Sequence, residues 1–492
     1  MTLYFHNASQ SRAIDRFAIE QKNIPGLLLM KRAGLFAFQT LLNQYPNANR
    51  LLIICGTGNN GGDGFVVAQL ALMAGLEVDL VLNGQPEAIK NDALLAYHEL
   101  QQLGIEPVVF KPELIESCDV VVDALFGTGL DRPIQNPVAD WIEQINAGKT
   151  PVLALDIPSG IAADTGRILG CAVKAEHTCT FITRKIGLYQ FNGADYSGKV
   201  HYNPLFLDQT ILQTKTAVAE NHPLKYWLNL LPERPKTSHK GSAGSVCLIG
   251  GDFHMMGAIQ MAGLSSLKVG AGLVKVITHD EHGIALTQAL PELMCYSEEA
   301  FSELTQTAKV IGIGPGLGLN EWGKSLFLRA KALPQPKVVD ADALKLLATH
   351  PERQDNWILT PHPGEAGELL GCTTDEIQGD RINAVKAIQK KYGGVTVLKG
   401  NGTLIYDGEN LEICLAGNPG MAVGGMGDVL TGAISGLIAQ GVPLFTAACL
   451  GVTLHAHAGD ILAQQKSQLG ILPTELASTI SQLLTYADKQ NA

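Results

Sequence analysis

The most informative pattern in this sequence is a glycine-rich stretch that ends in an aspartate. It occupies residues 418–428, NPGMAVGGMGD, and an apolar segment follows it at once. Glycines allow an abrupt turn into a helix, and the free amides of the first helical turn can then surround a phosphoryl group. A carboxylate at that spot accepts the proton of a hydroxyl group that is being phosphorylated. We therefore predict phosphoryl transfer with Asp428 as the catalytic base, against the plainer alternative of a capped helix.

Three further polar turns in the C-terminal half could complete such a site. Residues 399–403, KGNGT, follow the apolar run VTVL and offer a lysine and backbone amides to nucleotide phosphates, although a simple hairpin turn is the alternative. In residues 360–365, TPHPGE, two prolines fix the turn that presents His362. The third turn is GPGLG, residues 314–318. Mg²⁺ keeps most of its waters and needs few carboxylates, so the sparse acidic residues of this half suffice for a magnesium nucleotide.

A second glycine-rich turn, near the N-terminus, fits the dinucleotide-binding pattern G-x-G-x-x-G. Residues 56–61, GTGNNG, follow the apolar run 51–55 and precede a helical pattern, which is the context that gives the pattern weight. A dehydrogenase would place an acidic residue at the end of the next strand, where this chain has Asn83. Asp63 would also repel a pyrophosphate from within the turn unless a cation or another contact offsets its charge, and a helix N-cap is the alternative role for this residue. We predict a nucleotide site here that is not an ordinary dehydrogenase site.

Oxygen-bearing side chains follow other apolar runs of the N-terminal half. Asp123 ends one run, and after it comes the loop 127–133, which has several free amides and one arginine suited to phosphates. Asp156 ends the next run, and Ser159 follows shortly after it. Together with Asn60, the side chains of Asp123 and Ser159 supply hard oxygen donors for an alkali or alkaline-earth cation. Each residue alone could be a strand-end cap, but several such ends at one sheet edge favour a site.

Alternating apolar strands and amphipathic helices must position these turns. In the N-terminal half the predicted strands are residues 51–55, 78–83, 119–127 and 151–160, and the predicted helices are residues 9–37, broken near Pro25, and residues 63–74. This alternation is typical of an α/β fold with a doubly wound parallel sheet, in a Rossmann-like arrangement of three layers. Ligands bind such sheets at the carboxyl ends of the strands, and the polar turns of this half fall there.

The pattern changes near residue 219, where we place a domain boundary. Residues 221–244 contain three prolines and no sustained hydrophobic period, and a fresh apolar strand with a glycine turn begins at residue 245. We therefore assign one domain to residues 1–218 and a second α/β domain to residues 219–492. The two halves share no repeated motif, which indicates a fusion of unrelated domains rather than a duplication.

Composition argues against several classes of protein. The formal net charge of −11 argues against non-specific binding of nucleic acid or of anionic membranes, although amides and helix N-termini can still bind phosphorylated small molecules. Hydrophobic residues make up 46% of the chain but form no run of about 18, so no transmembrane helix is expected. The cysteines are scattered without a C-x-x-C pair, and the N-terminal stretch lacks a signal-peptide pattern. We therefore expect a cytoplasmic protein.

The N-terminal motifs together resemble the NAD(P)HX epimerase family. GNNGGDG, DALFGTGLDRP and DIPSG occur in that order. The resemblance implies interconversion of the two epimers of hydrated NADH or NADPH at C6 of the nicotinamide ring, with Asp156 at the ring, where its position suggests a general base. It implies a potassium ion (K⁺) held by Asn60, Asp123 and Ser159. It also implies that the hydrated dinucleotide contacts Asn59, Asn60, Gly61, Gly62, Asp63, Gly127, Thr128, Gly129, Leu130, Asp131, Arg132, Pro133 and Asp156.

The C-terminal motifs resemble the ribokinase-like NAD(P)HX dehydratase family over about residues 225–488. These motifs are, in order, HKGSAGSV, ALPELM, GPGLG, DADAL, LTPHPGE, LKGNGT, GNPGMA and GDVL. The resemblance implies that ADP or ATP, with Mg²⁺, phosphorylates the C6 hydroxyl of the S epimer, and that loss of phosphate then restores NADH or NADPH. It implies that Asp428 meets the substrate hydroxyl, with Ala258, Gly316 and His362 on the substrate side. The implied nucleotide-binding residues are Lys399, Gly400, Asn401, Gly402, Thr403 and Gly427.

The two resemblances complement each other, because hydration produces both epimers and a dehydratase of this kind accepts one. The expected partners are therefore hydrated NADH (NADHX), hydrated NADPH (NADPHX) and ADP or ATP, with no nucleic acid and no membrane. Self-association as a homo-oligomer is left open. One alternative is a ribokinase-type small-molecule kinase with a regulatory nucleotide-binding domain, which would release a stable phosphorylated product. Another is an N-terminal interaction module without catalysis, which would bind no dinucleotide.

Overall fold

The computed structural model describes residues 1–488 and separates the chain into two compact units. One unit comprises Tyr4–Ala219, and the other comprises residues 220–488 together with Met1–Leu3. Strands alternate with helices in both units and pair mostly in parallel, which confirms the α/β class predicted from the sequence. Within residues 1–488, no helix is both long enough and apolar enough to cross a membrane.

The N-terminal unit is built on a sheet of six parallel strands. The strands of this part of the chain are β1 (Leu3–His6), β2 (Arg50–Cys55), β3 (Glu77–Leu82), β4 (Val120–Ala124), β5 (Val152–Leu155), β6 (His177–Phe181), β7 (Arg184–Lys185) and β8 (Lys199–Asn203). The helices are α1 (Ala8–Glu20), α2 (Gly26–Gln44), α3 (Asn59–Met73), α4 (Asn91–Gln101), α5 (Pro112–Ser117), α6 (Val138–Ala147), α7 (Phe191–Tyr196) and α8 (Gln209–Leu212).

The strand order of this sheet is β3-β2-β4-β5-β6-β8, and every neighbouring pair is parallel. The chain leaves β2 for β3 on one side and then crosses to β4 on the other side. The order therefore reverses between β2 and β4, which is where an open α/β sheet forms its ligand-binding crevice. Strands β1 and β7 pair with each other outside this sheet.

Both faces of the six-stranded sheet are buried. Along β2, Leu51, Ile53 and Cys55 face a layer that includes α2, α3 and α4, whereas Leu52 and Ile54 face a layer that includes α5 and α6. Successive side chains of a strand point to opposite faces, so a continuous apolar run is what a strand between two helical layers requires. All five side chains are fully buried. The unit therefore has the three layers expected from the sequence.

Helix α3 begins four residues earlier than the sequence pattern predicted. The predicted start was Asp63, whereas the helix begins at Asn59, with Gly58 as an extended N-cap residue. Gly61 permits this start, because a Cβ atom there would overlap the backbone carbonyl of Gly56. Asp63 therefore lies in the second helical turn, and the alternative that it caps the helix is wrong.

The C-terminal unit has a longer sheet that includes two antiparallel strand pairs. Its strands are β9 (Ala219–Asn221), β10 (Ser245–Ile249), β11 (Leu273–Ile277), β12 (Leu293–Tyr296), β13 (Val310–Ile313), β14 (Lys337–Val339), β15 (Trp357–Leu359), β16 (Val395–Leu398), β17 (Thr403–Tyr406) and β18 (Leu411–Cys414). Its helices are α9 (Leu224–Leu228), α10 (Met256–Lys268), α11 (Asp280–Ala289), α12 (Phe301–Thr307), α13 (Glu321–Lys331), α14 (Ala341–Thr349), α15 (Pro363–Leu370), α16 (Thr374–Gly379), α17 (Arg381–Tyr392), α18 (Met426–Ala439), α19 (Leu444–Gln465) and α20 (Pro473–Asp488).

The strands from β12 to β16 form a parallel array in the order β12-β11-β10-β13-β14-β15-β16. Strand β17 is antiparallel to both β16 and β18. Because β13, β14, β15 and β16 are parallel, their carboxyl ends share one edge of the sheet. The polar turns at 314–318, 340–342, 360–362 and 399–402 directly follow these four strands and so lie along that edge.

A layer of apolar helices packs on one face of this sheet. Helices α10, α18, α19 and α20 contribute most of its core, and α18 is buried along nearly its whole length. A helix that is apolar on all sides is expected in such a position. Helices α10 and α18 approach closely, because a Cβ atom on Gly432 would overlap the carbonyl oxygen of Ala262. The packing fixes the start of α18 relative to α10.

Candidate active sites

A cavity of about 1010 Å³ opens at the carboxyl ends of β2, β4 and β5 in the N-terminal unit. Its walls include most of the residues predicted for the first site, namely Asn59, Asn60, Asp63, Gly127, Thr128, Gly129, Leu130, Asp131, Arg132, Pro133 and Asp156. Gly61 and Gly62 lie instead in the packed first turn of α3, where a Cβ atom on Gly62 would meet Sδ of Met30 at 2.7 Å. These two glycines shape the turn rather than the cavity wall.

Asp156 follows β5 in a strained backbone conformation. Its φ angle of 62° lies in the left-handed region, which residues with a side chain seldom adopt and which is common at functional sites. Its carboxylate accepts a hydrogen bond from Nζ of Lys185, whose side chain is only 2% exposed. Nζ of Lys185 also donates to the carbonyl oxygen of Phe181 at 2.7 Å. The buried ammonium and Asp156 thus form an ion pair at the cavity wall.

Sequence reasoning missed two cations of this site. Lys185 lies in the stretch FITRKIG, which matches no phosphate or metal pattern, and it reaches Asp156 only because β7 follows β6 closely. Arg12 lies on the exposed side of the amphipathic helix α1, and its Nη1 atom donates to the carbonyl oxygen of Thr128 at 2.7 Å. Arg12 also lines the cavity, so it both holds the loop 127–133 and offers a positive charge to a ligand.

Asp15 and Asp63 are among the further carboxyl groups that line the same cavity. Burial raises the pKa of Asp63 well above its usual range, and the negative charges of Asp156 and Asp15 add to the shift. Burial also raises the pKa of Asp15, against the opposing charge of Lys185. The neutral form of Asp63 is therefore favoured, and this form donates a hydrogen bond. A raised pKa weakens the repulsion of a pyrophosphate that the sequence suggested for Asp63.

The oxygen donors predicted for a cation lie beside this cavity. Asp123 is buried, and its carboxylate accepts hydrogen bonds from the Ser159 hydroxyl at 2.6 Å and the Ser159 amide at 2.7 Å. The Ser159 hydroxyl oxygen also accepts a hydrogen bond from the amide of Phe126, and Asn60 contacts the next residue, Gly127. Within residues 1–488, neither side-chain polar atom of the buried Asn60 has a hydrogen-bond partner. Leaving such an amide unpaired costs about 1–3 kcal/mol, and a cation bound to Oδ1 would offset the part that belongs to the oxygen.

The second site forms where α18 begins. Gly425 precedes the helix with a φ angle of 100°, and Gly427 and Asp428 lie in the first turn. Free amides at a helix start attract anions, as predicted for this stretch. Burial raises the pKa of Asp428 to about 7, and the charge of Asp340 adds to the shift whereas that of Lys399 opposes it. A carboxyl group with this pKa can accept or release a proton near neutral pH.

Lys399 and Asp340 form an ion pair beside this helix start. Nζ of Lys399 lies 2.8 Å from Oδ1 of Asp340 and 3.6 Å from Oε2 of Glu365. The other oxygen of Asp340 accepts a hydrogen bond from the Thr431 hydroxyl at 2.8 Å, and Asp340 itself is only 1% exposed. A Cβ atom on Gly427 would lie 3.4 Å from Nζ of Lys399. The ammonium group therefore lies next to the predicted phosphate position while it is paired with carboxylates.

His362 caps helix α15 with its own side chain. Its Nδ1 atom accepts hydrogen bonds from the amides of Gly364 at 3.0 Å and Glu365 at 3.4 Å. The Glu365 carboxylate accepts one from the His362 amide in return, which completes a capping box. An accepting Nδ1 leaves the proton on Nε2. Nε2 lies 3.5 Å from Oε1 of Glu365, and because the side chain is 56% exposed, Nε2 can also donate to a substrate.

The predicted nucleotide turn is the tip of a β-hairpin. Residues 399–402 connect β16 to its antiparallel neighbour β17, and Thr403 is the first residue of β17. The hairpin alternative is therefore correct as a description of the backbone. Gly400 and Asn401 are exposed at the tip, where their amides can still meet a phosphate.

Arg381 is a buried arginine that donates hydrogen bonds to the backbone of this hairpin, and sequence reasoning missed it. Arg381 is 1% exposed, and burial lowers its pKa to about 10. Its Nη2 atom lies 3.3 Å from three backbone carbonyl oxygens, those of Leu398, Lys399 and Gly402. The carbonyl groups of the turn therefore point into the protein, which favours exposure of its amides.

The two small residues predicted on the substrate side lie in contact with each other. Gly316 has a φ angle of 58°, and a Cβ atom there would lie 3.2 Å from Cβ of Ala258. The amide of Gly318 in the same turn donates to the Asp342 carboxylate at 3.1 Å. After burial, the charge of Asp342 is among those that raise the pKa of Asp428. The glycine turn therefore holds, through the Gly318 amide, a carboxylate whose charge affects the pKa of the predicted base, Asp428.

Two family models match the chain. Residues 246–482 match the model described as NAD(P)H-hydrate dehydratase, and residues 26–187 match the model described as YjeF-related protein N-terminus. Each match falls within one of the two compact units, and each unit holds one of the sites described above.

Relatives of full length agree with these matches. The chain is 44% identical to the bifunctional NAD(P)H-hydrate repair enzyme Nnr of Coxiella burnetii, over 97% of this chain and 98% of that protein. It is 42% identical to the Escherichia coli protein of the same name, over 97% of this chain and 94% of that protein. A solved structure of the ADP/ATP-dependent NAD(P)H-hydrate dehydratase from Bacillus subtilis, co-crystallized with ATP/Mg²⁺, is 30% identical, with a TM-score of 0.50 over 54% of this chain and 97% of that one. The resemblance seen in the motifs is confirmed: the chain belongs to the family of bifunctional NAD(P)H-hydrate repair enzymes.

Proposed function

We propose that this chain converts hydrated NADH and NADPH back to NADH and NADPH. The N-terminal unit interconverts the R and S epimers at C6, and the C-terminal unit dehydrates the S epimer with ADP or ATP. The observation that carries the proposal is the position of Asp428, a carboxyl group with a pKa of about 7 at the amide-bearing start of α18. The likeness to bifunctional repair enzymes over 97% of the chain supports two activities in one polypeptide.

In the C-terminal unit, Asp428 takes the proton of the C6 hydroxyl while the hydroxyl oxygen attacks the terminal phosphorus of the nucleotide. This transfer leaves AMP from ADP, or ADP from ATP. The phosphate then departs with the electron pair of the C6–O bond, N1 stabilises the positive charge, and loss of a proton from C5 restores the double bond. Phosphate is a far better leaving group than hydroxide, which explains why a dehydration uses a nucleotide.

The surrounding residues of this unit have positioning roles in the proposal. Gly427 and the exposed amides of the turn 399–402 bind the nucleotide, together with Thr403 at the end of that turn. Mg²⁺, when bound with the nucleotide, neutralises phosphate charge. Gly316 and Ala258 form a wall of small residues against which the hydrated ring lies, and Nε2 of His362 donates a hydrogen bond to it.

In the N-terminal unit, we assign the proton chemistry to Asp156. C6 of the hydrated ring carries both a hydroxyl group and N1, so its configuration is lost when the C6–N1 bond opens to an aldehyde. Asp156 accepts the hydroxyl proton, and the neutral carboxyl of Asp63 supplies a proton to N1 as the bond breaks. Rotation about C5–C6 and attack of N1 on the other face give the opposite epimer. Lys185 orients Asp156, and the loop 127–133 with Arg12 binds the phosphates.

A potassium ion in this unit would be held by Asn60, Asp123 and Ser159. The unpaired amide of Asn60 and the oxygen-only donor set fit such an ion. Burial raises the pKa of Asp123 to about 6, against the hydrogen bonds from Ser159, and a bound cation would favour the ionised form. Such an ion would supply positive charge beside the ends of β4 and β5.

A recovery assay with chemically hydrated NADH tests the proposal. The near-ultraviolet absorbance of NADH should return completely from an epimer mixture with ADP or ATP, and AMP or ADP should appear in equal amount. Recovery of the S fraction alone would remove the epimerase activity and leave the dehydratase. A stable phosphorylated product without recovered NADH would contradict the dehydratase and support a small-molecule kinase. A cytoplasmic location and the lack of nucleic-acid and membrane partners stay predictions, and self-association stays an open question.

A further inference from the structure

Three aromatic rings form a stack beside the glycine turn of the second site. Phe253 stacks on His279 with ring centroids 4.1 Å apart, and His279 stacks on Trp322 with centroids 4.2 Å apart, both at an interplanar angle of 23°. His279 therefore covers one face of Phe253. Phe253 is 48% exposed, and within the described residues no second ring stacks parallel to it, so the face opposite His279 is the one available to a ligand.

Asp252 fixes this stack and connects it to the wall proposed for the substrate. Its Oδ1 atom lies 2.8 Å from Nε2 of His279, and its Oδ2 atom accepts a hydrogen bond from the Asn320 amide at 2.7 Å. The backbone amide of Asp252 donates to the carbonyl oxygen of Gly316 at 2.6 Å. Gly316 in turn contacts Ala258. Phe253 directly follows Asp252, so its ring is attached to the residue that holds Gly316 of the proposed substrate wall by a backbone hydrogen bond.

The chemistry of the substrate requires a second contact of this kind. A hydrated dinucleotide has an adenine ring as well as the reacting ring, and the adenine must lie outside the pocket around Asp428. Aromatic side chains bind nucleobases by stacking, and the exposed apolar neighbours Met255 and Leu319 would cover the rim of the base. The adenine of ADP or ATP belongs on the opposite side, where the turn 399–402 binds phosphates in the proposed function.

We propose that the open face of Phe253 binds the adenine ring of the hydrated dinucleotide, with His279 and Trp322 as a rigid backing. This inference rests on the proposed function and deepens it, because it assigns the half of the substrate that does not react. It gives Phe253 a role in substrate binding and none in the chemical step.

The test compares hydrated NADH with hydrated dihydronicotinamide mononucleotide, which lacks the adenine half. Phe253→Leu keeps an apolar side chain but removes the aromatic face. It should raise KM for hydrated NADH about tenfold with little change in kcat, and leave KM for the mononucleotide and for ADP unchanged. Phe253→Trp restores an aromatic face and should return KM to the wild-type range. If the mononucleotide does not react, its inhibition constant against hydrated NADH replaces KM, and the same independence from position 253 is expected.

Controls separate this inference from the function on which it rests. Phe206→Leu, at a phenylalanine that is 80% exposed in the N-terminal unit, is the matched substitution and should leave the dehydration kinetics unchanged. If the wild-type protein restores no NADH, the proposed function fails. If it restores NADH but Phe253→Leu leaves KM for hydrated NADH unchanged, only the inference fails. An equal rise in KM for both substrates, or a change in size-exclusion elution, would also overturn it, because Phe253 would then shape the wall or a contact between copies.

Discussion

Each candidate site contains an ion pair between a lysine and an aspartate, but the two pairs differ in their relation to the proposed catalytic carboxylate. In the N-terminal unit, Lys185 contacts Asp156, the proposed base itself. In the C-terminal unit, Lys399 contacts Asp340 at 2.8 Å. The base proposed there is Asp428, which forms no ion pair within the part of the chain that the structure describes.

The difference shows two ways to prepare a carboxylate for proton transfer. An ammonium group in contact with Asp156 fixes its orientation and compensates its charge. Asp428 instead lies half-buried near a second carboxylate, and its pKa rises to about 7 because desolvation and the charge of Asp340 both disfavour ionisation. A hydroxyl proton can pass to such a carboxylate readily near neutral pH. The predictions below separate these two arrangements.

The largest effect is expected for Asp428→Asn. The substitution keeps the shape of the side chain but removes the proton acceptor, so dehydration should slow by about a thousandfold or more. Interconversion of the epimers, followed by chromatography, should continue at the wild-type rate. Asp355→Asn, at an aspartate whose side chain is 81% exposed, is the control and should affect neither reaction. Dehydration by Asp428→Asn within tenfold of wild type would exclude Asp428 as the base.

Lys185→Met should damage the other unit alone. The substitution preserves much of the buried volume but leaves Asp156 without its ammonium partner, so we expect epimer interconversion to fall about a hundredfold. Dehydration of pure S epimer should be unchanged. Lys199→Met, at an exposed lysine of the same unit, is the matched control. If epimerisation survives in Lys185→Met, the ion pair has a structural role only.

The pH dependence of dehydration should reveal the charge of Asp340. Asp428 must be ionised to act as a base, so kcat/KM should fall as pH decreases through about 7. Asp340→Asn removes a negative charge that raises this pKa, and it frees Lys399, whose charge lowers it. Both effects should move the acid limb of the profile downward by about one unit. Thr431→Val removes only a hydrogen bond to Asp340 and should leave the acid limb of the pH profile unchanged. If Asp340→Asn does not move the acid limb, the assignment of this limb to Asp428 is contradicted.

Arg381→Met should weaken nucleotide binding by a smaller factor. Without the guanidinium, the carbonyls of the hairpin turn lose their common donor and the exposed amides lose their fixed direction. We expect KM for ADP and for ATP to rise about tenfold, with KM for the hydrated dinucleotide unchanged. Arg353→Met, at a half-exposed arginine, serves as the control. A parallel rise in both KM values would instead indicate general loss of structure.

The smallest effect concerns the cation. Replacing K⁺ by choline should slow epimerisation about threefold to tenfold, because the Asn60 amide and the Asp123 carboxylate lose a shared partner. Asn60→Ala should be slow in both media and show no response to K⁺. A full response to K⁺ in this variant would place the ion elsewhere.

Local sequence patterns were sufficient for residues that follow strands. Asp123, Asp156 and the turns 127–133, 314–318 and 360–365 could be predicted because a parallel sheet brings the carboxyl ends of its strands to one edge. The glycine-rich start of α18 was equally clear, since few other structures use that spacing of glycine and aspartate. Most residues of the two candidate sites lie at these strand ends or at the start of α18.

The partners of these residues could not be predicted in the same way. Lys185 lies 29 residues beyond Asp156, and Asp340 lies 59 residues before Lys399. Arg381 lies at the start of helix α17 and contacts the hairpin turn 399–402 across the fold. Such contacts depend on how elements pack, and neither periodicity nor a local motif encodes them. The early start of α3 was missed for a related reason, because it depends on backbone contact between Gly61 and Gly56.

The close approach of α10 and α18 has a consequence for how the chain can vary. Gly432 lies about one helical turn beyond Asp428, and a single methyl group there would meet the backbone at Ala262. Any larger residue would push α18 outward and tilt the amides at its start. Substitutions at position 432 would therefore not be tolerated, in natural sequence variation or in directed evolution, although this residue contacts no reactant. Attempts to reshape the pocket for other substrates must treat the two helices as one block and vary the loops that surround it.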